Sequence, residues 1–155
     1  MKKSITIFAL MLMLAIQVLA QKASDVEAIK AVIEKETKAY FGIDQKSWMD
    51  SWVHTPYAYW SFVDQNGMNH YEGWKAIEIG FNDYFVTSKP TNIEIERKWI
   101  DIRIYGNGAY ARFKQYVVNN GVKGPEQTEI RILEKEKNIW KIAVVGVLKK
   151  NETPN

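Results

Sequence analysis

Residues 91–105, "TNIEIERKWIDIRIY", read as one long β-strand whose apolar phase changes partway along. Side chains on a strand alternate between its two faces. Ile93 and Ile95 are odd-numbered, whereas Ile100, Ile102 and Ile104 are even. A bulge or bend between Glu96 and Trp99 reconciles the halves, because one inserted residue returns the apolar side chains to a common face. Three strands follow: "GAYARFKQYVV" (108–118), "TEIRILEKE" (128–136) and "IWKIAVVGVLK" (139–149), with "NNGVKGPE" (119–126) as a hairpin loop. The last strand is apolar on both faces, so something covers both sides of it. One face can pack on helices. The other calls for a partner sheet, most simply that of a second copy of the chain, which predicts a homodimer.

Upstream, Ser24-Asp25-Val26-Glu27 has the spacing of a capping box. Val26, Ile29, Ile33, Thr37 and Tyr40 recur at helical spacing, and Gly42 suits the stop. Glu36 falls on the edge of that apolar stripe, where a core residue would be expected. Asp44 can cap a short second helix through Trp48, Met49 and Trp52 that ends near Pro56. "YAYWSFV" (57–63) is β-prone and precedes the turn "DQNG" (64–67). A third helix fits residues 72–86, with Trp74, Ile77, Phe81, Tyr84 and Phe85 on one stripe. Helices followed by a long antiparallel sheet predict an α+β fold, the curved sheet wrapping three helices like a half-closed cone. Pockets form at the open mouth of such a cone.

Residues 1–20 read as an export signal. Lys2 and Lys3 form a basic start, and the apolar run "ITIFALMLMLAIQVLA" ends on Val18-Leu19-Ala20, with small residues where signal peptidase requires them, at Val18 and Ala20. The expectation is an exported chain, periplasmic or secreted, whose residues 21–155 form a single domain with no membrane attachment after cleavage; a retained N-terminal anchor is the other option. The chain carries 21 Lys and Arg against 18 Asp and Glu, and removing Lys2 and Lys3 leaves 19 against 18, formally +1. So even a balance lacks the concentrated basic surface that nucleic acid requires. With no cysteine, thiolate metal chemistry and disulfides are out. His54 and His70 stand sixteen residues apart and match no metal-ligand spacing, so neither a metal nor a cofactor is expected.

Several short motifs resemble the nuclear transport factor 2-like superfamily of cystatin-like folds. That group includes polyketide cyclases, steroid isomerases and many uncharacterised exported bacterial proteins. The order is similar to that of the association domain of calcium/calmodulin-dependent protein kinase II. Glu72-Gly73 opens the third helix; Tyr110, Arg112, Gln115 and Tyr116 give Tyr-x-Arg-x-x-Gln-Tyr; Glu129, Arg131 and Trp140 give Glu-x-Arg followed by Trp. "WVHTPYAYW" and "RILEKEKNIWKI" are similar to stretches of the bacterial members. The resemblance implies the cone fold, and it implies that Arg112 and Arg131 line a pocket for small carboxylates. A third arginine of that pocket has no counterpart here, where the last strand reads "VVGV".

Alternation alone puts Tyr110, Arg112, Lys114 and Tyr116 on one face and Ala111, Phe113 and Gln115 on the other. By pattern the first face is the solvated one; the resemblance turns Arg112 inward. Arg131 shares a face with Glu129 and Leu133, and a guanidinium inside a cone needs a carboxylate, because an unpaired buried charge costs several kcal/mol. Glu36 is the expected partner, in bidentate geometry. Arg112 is then left for an external anion, with Trp60 and Tyr116 as apolar walls and His54 at the rim. The expected ligand-binding set is therefore Arg112, Arg131, Glu36, Tyr116, Trp60 and His54. The leading reading is a non-catalytic pocket for a small organic anion or a polar aromatic molecule. One alternative is an isomerase, cyclase or dehydratase using Glu36 or His54 as the proton carrier. The other is a purely structural dimer, which predicts no cavity larger than a water.

Overall fold

The structure is a computed structural model that describes residues 2–150, with side chains from residue 21 onward. Helix α1 (Lys2–Phe41) is 40 residues long. It runs straight through Ser24, which is therefore interior to the helix and not its N-cap. Residues 4–24 contain neither Gly nor Pro and are rich in Leu, Ala and Met, so nothing in the sequence breaks the helix before the expected start. At the other end, Gly42 N–H donates to the Lys38 carbonyl at 2.9 Å. A Cβ on Gly42 would lie 2.9 Å from that same oxygen, so glycine is required there for close approach. The left-handed residue is the next one, Ile43 (φ 56°). Helix α2 (Gln45–Asp50) is capped by Asp44, whose carboxylate accepts from Ser47 N–H at 3.0 Å.

Strands β1 (Tyr59–Asp64) and β2 (Gly67–Glu72) pair as a hairpin across the "DQNG" turn. The second strand of this pair was not expected. Its sequence, "GMNHYE", is mostly polar because it is an edge strand that packs only Tyr71 against the core. Helix α3 (Trp74–Thr87) begins two residues later than expected, because Gly73 (φ 80°) turns the chain and hydrogen-bonds back to the Ala58 carbonyl at 2.7 Å. Strands β3 (Ile93–Tyr105), β4 (Gly108–Asn119), β5 (Val122–Lys123), β6 (Gln127–Glu136) and β7 (Ile139–Lys149) complete a sheet ordered β2-β1-β7-β6-β4-β3, with β5 hairpinned onto β4. All neighbours are antiparallel except β1 with β7.

The bulge in β3 lies between Trp99 and Asp101, leaving Ile100 unpaired. That is just beyond the stretch expected from the isoleucines alone. The shift matters, because it keeps Ile93, Ile95, Arg97 and Trp99 on the inner face together. A second bulge, between Ile132 and Leu133, bends β6. The curved sheet is unclosed, and its concave side holds α1, α2 and α3 through Ile29, Ile33, Trp48, Ile77, Phe81 and Phe85, all buried. On the convex side, Ile130, Ile132, Val144, Gly146 and Leu148 form an apolar strip, with Ile132 and Leu148 exposed.

Candidate functional site

The cone keeps a cavity of about 310 Å³ on its concave side. A single water occupies about 30 Å³, so the space exceeds what the purely structural reading predicted. Strand register sorts the sheet-side walls into layers. Arg131 on β6 lies opposite Ala111 and Val145, and Val145 lies opposite Trp60. One layer further toward the mouth, Glu129 lies opposite Phe113 and Val147, and Val147 opposite Phe62. Gln115 and Gln127 face each other in the outermost layer. The helices add Glu36, Thr37, Tyr40, Phe41, Trp48 and Phe81.

Arg131 is 4% exposed, Glu129 1% and Glu36 7%. At this burial the guanidinium must be compensated inside the protein. Its Nη2 lies 2.5 Å from Glu129 Oε2 and 3.8 Å from Glu36 Oε2. The closer contact is electrostatic and falls outside hydrogen-bonding direction, and Nε and Nη1 find no acceptor. The expected partnership with Glu36 is therefore a single longer contact and not a bidentate fork. Glu129, two residues before Arg131 on the same strand face, reaches the guanidinium without any help from a helix. Ala111, directly across the strand, leaves room for the arginine.

Glu36 is held from the other side. Trp48 Nε1–H donates to its Oε1 at 3.0 Å, and Thr37 Oγ1 approaches its Oε2 at 3.4 Å. Burial pushes the Glu36 carboxyl above its ordinary value, and the attraction of Arg131 only partly opposes this. Burial likewise raises the Tyr40 phenol, which stacks on Tyr84 with ring centroids 4.3 Å apart.

Sequence reasoning missed a second guanidinium. Arg97 on β3 is half-buried. It donates through Nη2 to Thr37 Oγ1 at 2.9 Å and to Gln115 Oε1 at 2.7 Å. Gln115 Nε2 continues the chain to Gln127 Oε1 at 3.2 Å. Thr37, Arg97, Gln115 and Gln127 thus form a polar belt from α1 across three strands beside the cavity. The signal was available: once the bulge follows Trp99, Arg97 joins the odd-numbered inner residues, and register sets it opposite Gln115.

Of the expected set, Arg131, Glu36 and Trp60 line the cavity. Arg112, Tyr116 and His54 do not. Arg112 is exposed on the convex face, because Ala111 and Phe113, both 0% exposed, take the concave one. Tyr116 shares that outer face and donates to Glu126 at 2.7 Å. His54 is exposed, stacks on Trp74 with ring centroids 4.1 Å apart, and bonds through Nε2 to the Met49 carbonyl at 3.0 Å. Among the described residues no group of three His, Cys, Asp or Glu side chains is placed to hold a metal.

This fold is that of the nuclear transport factor 2-like proteins, also described as cystatin-like. A protein of that type with a cystatin-like fold from Novosphingobium aromaticivorans superposes with a TM-score of 0.70 at 14% identity, covering 89% of this chain and 90% of its own. A putative calcium/calmodulin-dependent protein kinase type II association domain from Thiobacillus denitrificans gives 0.64 at 10% identity, over 79% of this chain and 94% of its own. A nuclear transport factor 2-like protein of unknown function from Shewanella oneidensis gives 0.64 at 14%, over 80% and 98%. No protein-family model matches the chain, and no curated protein matches it. At these identities the likeness establishes the fold alone, and the fold hosts both binding proteins and enzymes.

Proposed function

We propose that the concave cavity binds a small polar aromatic molecule without transforming it. The observation that carries this reading is the composition of the wall. Trp60, Phe62, Phe81 and Tyr40 offer ring surfaces, while the charged groups of the cavity largely answer one another. Of the two ligand classes expected from sequence, the anion loses its basis with Arg112 outside the cone. Arg131 is already faced by two carboxylates, so an incoming carboxylate gains little there. A neutral aromatic with a hydroxyl or carbonyl fits rings on one side and the Gln115–Gln127 edge on the other. The volume lies at the small end of ligand sites, roughly 300–1,000 Å³.

The test is thermal stabilisation by 4-hydroxyacetophenone and, in parallel, by benzoate. The neutral probe is expected to raise the melting temperature more than benzoate does. Val117→Trp, which narrows the mouth, is expected to remove the rise, and Arg112→Ala to leave it intact. A larger rise with benzoate, or a rise that survives Val117→Trp, overturns the reading.

One observation favours catalysis as a second reading: a buried carboxyl, Glu36, has its proton affinity raised by burial at the cavity wall. His54, outside the cavity, drops out as a proton carrier. Turnover of an enolisable ketone that disappears in Glu36→Gln would support this reading over simple binding.

We further propose export after cleavage behind Ala20, supported by the basic start and apolar run, and a dimer formed through the convex apolar strip. Ile132→Lys is expected to convert a dimer to a monomer in light scattering. An unchanged mass on that substitution removes this interface.

A further inference from the structure

A second space, about 490 Å³, opens between the C-terminal end of α1 and the inner side of β3, lined by Phe41, Ile93, Ile95, Thr91, Lys38 and Arg97, with Glu34 on its rim. We infer that this groove is a separate binding site for an amphipathic carboxylate, with Arg97 taking the head group and Phe41, Ile93 and Ile95 the tail. It does not depend on the concave cavity being occupied.

Arg97 carries a positive charge on the inner side of β3. Its hydrogen-bond partners, Thr37 and Gln115, are neutral. No carboxylate among the described residues lies within ion-pair distance of it, whereas Arg131 has two. Burial lowers the Arg97 guanidinium from its ordinary value, and the attraction of the more distant Glu129, Glu36 and Glu34 only partly opposes this. The group is also oriented: its Cζ lies 4.6 Å from the Phe113 ring centroid and 5.4 Å from that of Trp99. A guanidinium fixed against rings, with Nε and Nη2 engaged by Gln115 and Thr37, has Nη1 left to donate to a carboxylate oxygen.

The groove's lining adds Lys38, exposed on the rim, against the single exposed carboxylate Glu34, so its formal balance is +1. Below the charges the walls are Phe41, Ile93 and Ile95, and the volume lies within the usual range for small-molecule sites. Charge at one end and apolar surface beyond it select a ligand with both. An inorganic anion satisfies only Arg97, and an alcohol only the isoleucines. Thr37 and Phe41 line both this groove and the concave cavity, so occupancy of one changes a wall of the other.

Isothermal titration of the purified protein with sodium octanoate, below its micelle concentration, tests the site. One octanoate per chain is expected. Arg97→Gln is expected to weaken it at least about tenfold, since a charge-assisted hydrogen bond is lost. Ile95→Trp fills the groove while leaving the guanidinium network untouched, and is expected to weaken it as much; it serves as the second variant should Arg97→Gln fail to fold. Acetate and 1-octanol, each carrying half of the ligand, are expected to bind at least about tenfold more weakly. Arg112→Gln, on the opposite face of the sheet, is expected to titrate like the wild type. The inference is overturned by absence of octanoate binding, by wild-type affinity in Arg97→Gln or Ile95→Trp, or by 1-octanol binding as tightly as octanoate.

Discussion

Replacing Glu129 by Gln keeps the size and polarity of the side chain and removes one charge. The charge removed is the one 2.5 Å from Arg131 Nη2, in a pair whose side chains are 5% and 2% exposed. Leaving a buried guanidinium without its counter-charge typically costs about 3–5 kcal/mol. Glu36, 3.8 Å from the same nitrogen, offsets part of this, because losing Glu129 removes a repulsion that pushes the Glu36 carboxyl up. The lower end of the range, about 3 kcal/mol, is therefore expected at neutral pH. For a domain of this size that corresponds to a melting temperature about 10 °C lower by circular dichroism. Acidification should make the variant relatively worse, since protonating Glu36 withdraws the remaining compensation.

The double variant Glu129→Gln/Arg131→Met removes both charges together. It is expected to recover a large part of the loss, with a non-additivity of about 2 kcal/mol or more. A fall below about 3 °C for Glu129→Gln would refute the reasoning. So would strict additivity in the cycle, because either result means that the guanidinium does not need its carboxylate.

Glu36→Gln retains an acceptor for Trp48 but removes a carboxyl whose folded pKa is raised. Such a group supports stability fully below its unfolded pKa and withdraws that support as pH rises through the folded value; the variant should therefore gain on the wild type in melts run from pH 4 to pH 8. Asp25 accepts from Lys135 Nζ at 2.6 Å and Trp140 Nε1 at 3.0 Å, and the bond to Lys135 is the chief cause that lowers its carboxyl. Its contribution is present above the unfolded pKa and is lost as pH falls through the lowered one, so Asp25→Asn should cost roughly 5 °C at pH 7 and much less near pH 2. Gly80→Ala would ordinarily stabilise a helix by about 1 kcal/mol, yet here the new Cβ would fall 2.4 Å from the Tyr71 ring. Tyr71 stacks on Trp60, so a net loss of about 1–3 kcal/mol is expected in urea unfolding, together with weaker binding of the neutral aromatic probe.

Periodicity made the helices, the long strands and the curvature readable, because burial of one face imposes its period on the sequence. The mostly polar strand β2 was invisible for the same reason: an edge strand that packs one side chain, Tyr71, on the core carries no alternation to read. For the site, the sequence misassigned orientation more than chemistry. Arg131, Glu36 and Trp60 were found, and the need of Arg131 for a carboxylate was clear. Which carboxylate is nearest depended on side-chain reach, and the same-face neighbour Glu129 won over the helix residue. Arg112 shows how borrowed orientation fails. Its own strand alternates Ala111, Phe113 and Gln115 against Tyr110, Arg112 and Lys114, and the apolar set faces inward, as alternation alone required.

The inner polar groups were lost to a small displacement of one bulge. Placed before Trp99, the bulge makes the side of Arg97 ambiguous; placed at Ile100, it sets Arg97 inside, opposite Gln115. A single inserted residue thus decides whether β3 contributes a guanidinium to the interior or to solvent. That inner guanidinium is held by neutral partners, whereas the deeper one, Arg131, is held by two carboxylates. The two arginines therefore differ in the charge each has left to offer. Arg131 meets its carboxylates in direct contact within a ring-lined space, while Arg97 is compensated only from a distance, by Glu129, Glu36 and Glu34. A chain with this fold can separate the binding of neutral and charged molecules by where its carboxylates fall along two neighbouring strands.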